Sequence, residues 1–91
     1  MIIQRVEIMG MALTVMKHKS CHAEFGEGED EHGKWATLYS IESKVKRQGH
    51  ATQLLTRAMD YYQNVRFGGS VALNDNMQRI YQRLKIKEYT E

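Results

Sequence analysis

Ninety-one residues allow one domain with a thin core, because a chain of this length buries only about 60–65% of the surface its unfolded form exposes. Hydrophobic content of 42% beside 26% charged residues is too balanced for a disordered chain, and no apolar run approaches the ~20 residues of a membrane span. The net charge of +2 argues against a protein built mainly to coat polyanions.

The first ten residues, MIIQRVEIMG, lack the basic region, long apolar stretch and small-residue cleavage site of a signal peptide. Cys21 is the one cysteine and has no internal disulfide partner; no CxxC spacing exists to make a metal site of it with His22 and His32. A cytoplasmic home is the simplest reading.

In chain order, "IIQRVEIM" carries Ile3, Val6 and Ile8 in a pattern that predicts a half-buried strand. Met9-Gly10-Met11 turns the chain into "MALTVMKH", a second strand rich in apolar and β-branched residues. "CHAEF" extends as part of a strand, and then Gly26, Gly28 and Gly33 interrupt the chain, so residues 26–33 read as a loop or long hairpin turn. "KWATLYSI" is apolar on both faces, as expected of a central strand. From Gly49 the period changes: Ala51, Leu54, Leu55, Ala58 and Tyr62 follow helical spacing, while Gln53, Arg57, Asp60 and Gln63 face away. Gly68-Gly69 closes that unit, "SVALN" reads as a short buried strand, Met77, Ile80, Tyr81 and Leu84 mark a second helix, and "IKEYTE" suggests a last short strand. The result is an α+β fold spanning residues 1–91: a meander followed by a βαβ crossover, with a central mixed β-sheet of about four to six strands and two helices.

Charge is unevenly spread. Residues 23–32 hold Glu24, Glu27, Glu29, Asp30 and Glu31 and no Lys or Arg, so this segment carries −5; the rest carries +7, thirteen cations against six carboxylates. The plain reading is a solvated acidic hairpin tip. A functional reading is that it attracts a basic substrate.

The most informative stretch is "IESKVKRQGHATQLL", residues 41–55, where a buried strand feeds basic residues, a glycine and a helix. A helix start offers about four N–H groups without intrahelical partners, together with the positive end of the macrodipole. Placed after a strand, these donors suit a phosphate. Glycine allows close backbone approach, and Lys46 and Arg47 add positive charge, Arg47 with a bidentate fork. Cations at a helix N-terminus oppose the dipole unless an anion joins them. Neither the P-loop nor the dinucleotide fingerprint is present.

The run Lys46-Arg47-Gln48-Gly49-His50-Ala51 resembles the acetyl-CoA pyrophosphate loop of the GNAT family of N-acetyltransferases, whose pattern is Gln or Arg, two residues, Gly, one residue, then Gly or Ala. Leu38-Tyr39-Ser40-Ile41 resembles the family's preceding strand. Asn74 and Tyr81, seven residues apart with Leu84 three further on, are similar to its second signature. The likeness covers roughly residues 35–86. It implies a minimal GNAT-like fold and an acetyl-CoA-dependent acyltransferase that acetylates an amine. It further implies that the backbone of Arg47, Gln48, Gly49, His50 and Ala51 holds the pyrophosphate, aided by the side chains of Lys46, Arg47 and Thr52. Tyr39, Ser40 and Ile41 would pair with the pantetheine arm through their backbone, Asn74 would hydrogen-bond near the acetyl group, and Tyr81 would protonate the departing thiolate. On its own pattern Tyr81 also reads as a core residue of the last helix.

The departures from the family are Lys46 at the loop's first position, Lys85-Ile86 where the family has Gly-Phe, and no room for the helical segment that normally follows the first strand. An acceptor side reduced in this way suits a protein lysine or N-terminus better than a small molecule that needs enclosure. Glu42, Glu24, Glu31, His22 and His32 read as solvent-facing groups, and no general base stands out. Alternatives are a catalytically degenerate CoA-binding or protein-interaction module, and a small nucleic-acid binder using Arg79, Arg83, Lys85 and Lys87. Exposed sheet edges on a thin core also suit a homodimer.

Overall fold

A computed structural model describes residues 1–45, 49–70 and 75–88. Met9 and Gly10 both hold positive φ, 52° and 79°, the two-residue turn geometry that matches the natural twist of a hairpin. That turn joins β1 (Ile2–Ile8) directly to β2 (Met11–His18). Lys19-Ser20 then leads into β3 (Cys21–Asp30), and Glu31-His32 into β4 (Gly33–Ser43). After the antiparallel meander come α1 (His50–Tyr61), β5 (Arg66–Gly69), α2 (Asp75–Leu84) and β6 (Lys87–Glu88). The six strands lie in the sheet in chain order, and β4, β5 and β6 run parallel. This is the expected α+β order, with six strands and two helices.

Three local expectations are corrected. Residues 26–30 belong to β3, and the turn shrinks to Glu31-His32. Gly26 and Gly28 make room for aromatic rings from β4: a Cβ on Gly26 would enter the Tyr39 ring, and one on Gly28 the Trp35 ring. Their glycines thus mark side-chain packing across a strand pair, a role distinct from turn formation. Likewise Gly68 and Gly69 are buried within β5, where a side chain at Gly69 would collide with the Tyr81 hydroxyl. The strand expected over "SVALN" therefore begins earlier, over Arg66–Gly69; Ser70 follows it, and residues 71–74 lie outside the described residues. Finally β1 is not half-buried, since all seven of its residues are exposed.

The registers divide the sheet into two unlike faces. Thr14, Met16, Ala23, Phe25, Ala36 and Leu38 share one face and are fully buried or nearly so. Leu54, Leu55, Ala58 and Tyr62 of α1 and its C-terminal end pack on it, joined by Ile80, Tyr81 and Ile86. The Tyr62 ring stacks on Phe67 at 5.6 Å and lies 5.6 Å from Phe25, contacts worth about 0.5–1.5 kcal/mol each beyond area burial. The opposite face carries Val6, Ile8, Met11, Leu13, Trp35 and Tyr39. No helix among the described residues is placed on it.

At one end of the covered face a carboxylate is drawn inward. Glu27 Oε2 accepts from Thr14 Oγ1 at 2.6 Å and from the Tyr62 hydroxyl, while Oε1 meets Arg5 Nη2 at 3.2 Å. One acidic side chain thereby ties β1, β2, β3 and the end of α1 together. Burial, and then the Glu27 hydrogen bond, push the Tyr62 phenol well above the ordinary tyrosine range. Removing the carboxylate strands two buried hydroxyls, so Glu27→Ala is expected to cost about 2–3 kcal/mol, read from the urea midpoint. A phenol whose pKa is raised by folding stabilises the protein fully below its unfolded value of about 10 and loses that contribution as pH rises further. Stability is expected to fall above pH about 10, less steeply in Tyr62→Phe; equal slopes in the two proteins would refute this.

Candidate functional site

The register between β3 and β4 shifts at the Glu24/Phe25 step: Glu24 faces Ser40 and Phe25 faces Leu38, leaving Tyr39 as an extra residue in β4. On its other side β4 pairs with β5 only from Trp35 to Leu38. A last contact, Ser70 N–H to the Leu38 carbonyl at 3.0 Å, closes the ladder. Beyond it Tyr39–Ser43 has no strand neighbour on that side among the described residues. Past that rung β4 leaves, among the described residues, a length of unpaired backbone beside the end of β5, a cleft whose β4 wall can pair with an extended ligand. It contains the backbone of Tyr39, Ser40 and Ile41.

At the head of this cleft α1 begins. Gly49 is its N-cap, with φ 73° in the left-handed region; no side chain caps the helix and its first turn holds no acidic residue. The N–H groups of the first turn, from His50, Ala51 and Thr52, are therefore left to solvent or a ligand. Why the helix starts here is visible in a polar knot. Ser20 Oγ lies 2.8 Å from His50 Nδ1 and 3.4 Å from Ser43 Oγ. Lys44 N–H donates to the Ser20 carbonyl at 3.1 Å, and Ser43 Oγ donates to the Val45 carbonyl at 2.7 Å. His18 Nε2 lies 2.9 Å from Gln53 Oε1. The β2–β3 turn thus clamps both the exit from β4 and the first turn of α1. Of the expected loop residues, Gly49, His50, Ala51 and Thr52 stand together at the helix start, with the His50 side chain committed to Ser20. Lys46, Arg47, Gln48 and Asn74 lie outside the described residues. Sequence reasoning missed Ser20, since a turn serine carries no periodic signal.

Tyr81 is buried at 4% exposure, and its hydroxyl donates to the Ser70 carbonyl at 3.0 Å. Ser70 is the residue whose N–H makes the last rung before the cleft, so the phenol stands at the cleft's apex. Burial raises its pKa, which keeps the proton on oxygen. Being on the apolar stripe and at the apex are compatible, because Gly69 lets the ring lie against β5. A separate open depression of about 490 Å³, between α2 and β6, is lined by Gln78, Tyr81, Gln82, Lys85, Ile86, Lys87 and Glu88; no residue of β4 or the helix start reaches it.

The acidic run does not form one patch, because strand alternation splits it. Glu27 points inward, and Asp30 is bonded to Arg66 and to the His32 N–H, which lower its pKa in that order. Glu31 lies near His32, and His22 faces Glu42 at 3.9 Å. Glu24 stands opposite Ser40 on the open face, with no ion pair among the described residues. The Cys21 thiol is buried, which raises its pKa, and no group of three His, Cys, Asp or Glu among the described residues is placed to hold a metal. No helix among them is long and apolar enough to cross a membrane.

No protein-family model matches the sequence, and no curated protein matches it either. A solved structure, described as the crystal structure of a probable acetyltransferase, superposes with a TM-score of 0.66 at 17% identity. The match takes in 89% of this chain and 66% of that one, so the present chain spans just under two thirds of that protein's length. The fold is GNAT-like, an acetyltransferase-like mixed sheet of six strands with two helices. The likeness is one of fold.

The positive φ at Gly49 makes the helix start sensitive to any Cβ. Gly49→Val is expected to destabilise the protein by about 1–2 kcal/mol, read as a lowered thermal midpoint. A midpoint equal to the parent's would show that the helix begins elsewhere.

Proposed function

We propose that this chain is an acetyl-CoA-dependent N-acetyltransferase whose acceptor is an amine on a protein, a lysine side chain or an N-terminus. The observation that carries the reading is the cleft itself. An uncapped helix N-terminus stands at its head, unpaired strand backbone runs along it, and a protonated buried phenol sits at its apex. These three suit, in order, a pyrophosphate, a pantetheine amide chain and a leaving thiolate.

Acetyl-CoA, when bound, supplies a thioester activated toward nitrogen nucleophiles. The residues of this chain then have separate tasks. The N–H groups of Gly49 to Thr52 would hold the phosphates, with Lys46, Arg47 and Gln48 as the further residues for that task. Tyr39 to Ile41 would fix the arm through their backbone, and Asn74 would hydrogen-bond near its end. Tyr81 would donate its proton to sulfur as the C–S bond breaks. The acceptor, having lost one proton to solvent to become a neutral amine, would form the new C–N bond and lose a second proton to solvent, from which Tyr81 would regain its own.

Approach of the acceptor is set by the two faces. The covered face is filled by α1, so the amine arrives from the open one. There the direct β1–β2 turn stands where the resemblance places a helical wall, and a broad surface can dock. Glu24, beside the bulge on that face, is positioned to draw in an ammonium group. The wider acidic run is a poor candidate for that task, since Glu27 and Asp30 already serve the fold.

Acetyl-CoA is expected to raise the thermal midpoint, and thiol release should follow on addition of acceptor proteins. Tyr81→Phe should keep the midpoint shift while turnover falls about 10²-fold or more. Absence of any shift with acetyl-CoA would refute the reading. A shift without turnover in the parent protein, across lysine and N-terminal acceptors, would instead favour a CoA-binding module that has lost catalysis. Glu24→Gln should raise KM for a basic acceptor with little change in kcat. An unchanged KM would remove Glu24 from the acceptor site.

A further inference from the structure

Beyond the proposed catalysis, and independent of it, the edge strand β1 has an unassigned role. It borders the sheet, pairs only with β2, and exposes every one of its seven residues. It contains no proline, and its pairing with β2 runs without a register shift. Four of its side chains are large and apolar: Ile2, Ile3, Val6 and Ile8 are 38–59% exposed. A long, regular edge with four apolar side chains and neither proline nor bulge is a template for another strand, provided its charges, Arg5 and Glu7, find partners there.

We infer that β1 pairs with β1 of a second copy of this chain, antiparallel about a two-fold axis through Val6. The register follows from three constraints. In a two-residue hairpin the flanking residues Ile8 and Met11 form a hydrogen-bonded pair, so even-numbered residues of β1 bond to β2. Ile3, Arg5 and Glu7 therefore turn their N–H and C=O groups outward. A two-fold axis perpendicular to the sheet keeps each face on its own side, which restricts the axis to pass through a residue. Centring on Arg5 would set two guanidiniums against each other, and like charges directly opposite are unfavourable. Centring on Val6 instead places Arg5 opposite the partner's Glu7 twice, in the outward hydrogen-bonding positions, with Val6 against its own copy between them.

The side chains agree with this register. Arg5 and Glu7 lie on the same face as Glu27, and Arg5 is 64% exposed even while bonded to Glu27. Its fork can bridge Glu27 and the partner's carboxylate together. Glu7 has no ion pair within its own chain among the described residues, and this pairing supplies one. It is the self-complementary charge order, Arg then Glu two residues on, that selects a second copy over an unrelated strand. Two sheets of six strands become one continuous sheet, and the edge is removed.

Sedimentation equilibrium of the full chain is expected to show a dimer at micromolar concentration. Glu7→Arg replaces two attractive cross-strand pairs with two repulsive ones and should weaken the dimer at least about tenfold, with the circular dichroism spectrum and thermal unfolding retained. Arg5→Glu should weaken the dimer in the same way, with a lower thermal midpoint because it also takes the guanidinium away from Glu27. Mixed in equal amounts, the two variants should form a heterodimer, because the paired arginines on β1 of one then face the paired glutamates on β1 of the other. A monomer at high micromolar parent protein would overturn the proposal. So would a parent dimer indifferent to Glu7→Arg, which would point to packing through the open sheet face, and so would failure of the mixed variants to associate.

Discussion

Where β4 takes up Tyr39 as an extra residue, its two edges stop behaving alike. Toward β3 the pairing resumes and continues to Ser43; toward β5 it ends at Leu38. Among the described residues the inserted residue stands where pairing toward β5 has stopped, and a bulge adds local twist that suits such a parting of neighbours into a slot. The rest of the site is arranged around that slot. The uncapped start of α1 stands at its head, the Tyr81 hydroxyl at its apex, and the backbone of Tyr39–Ile41 along its wall. Tyr39 has a second role on the open face, where its ring covers Gly26.

The slot holds its shape only if the helix start holds its position, and here small polar groups do what a thin hydrophobic core does not. Ser20, Ser43 and His50 knot three segments that are distant in sequence. At the opposite end of the covered face Glu27 does the same for β1, β2, β3 and the end of α1. Between these anchors lie Leu54, Leu55 and Ala58, buried against Met16, Ala23 and Leu38. Burying a carboxylate is costly unless its oxygens are satisfied, and Glu27 meets that condition with a hydroxyl pair and a guanidinium. In a chain of 91 residues such links carry a larger share of the tertiary order than they would in a larger domain.

One face of the sheet is covered and the other is open, and that asymmetry connects stability to function. The direct turn at Met9-Gly10 leaves no chain between β1 and β2 to cross the open face. Tyr39 and Trp35 partly compensate by folding their rings over Gly26 and Gly28. The same openness would, in the proposed function, let a large acceptor reach the bulge, while the strand order leaves β1 at the edge of the sheet.

Helical periods, the central strand and the glycine at the strand-to-helix junction were legible from residue order, because each depends on neighbours within one or two turns. Ala51 to Tyr62 repeats every three to four residues whatever it packs against, and Gly49 stands at a strand-to-helix junction that local pattern alone reveals. The other glycines were not legible in this way. Gly26, Gly28 and Gly69 look like punctuation in a linear reading, yet they are strand residues whose missing side chains accommodate Tyr39, Trp35 and Tyr81. The acidic run likewise dissolved into a buried anchor, an Arg66 partner and surface groups, since alternation along β3 sends neighbours to opposite faces. By itself the sequence determined the order of elements, the amphipathic helices and the chemistry gathered after β4. Tertiary structure alone decided the register of β3 on β4, and with it the bulge, the slot and the place of each carboxylate. Register is set by pairing between strands, which no single strand's pattern contains.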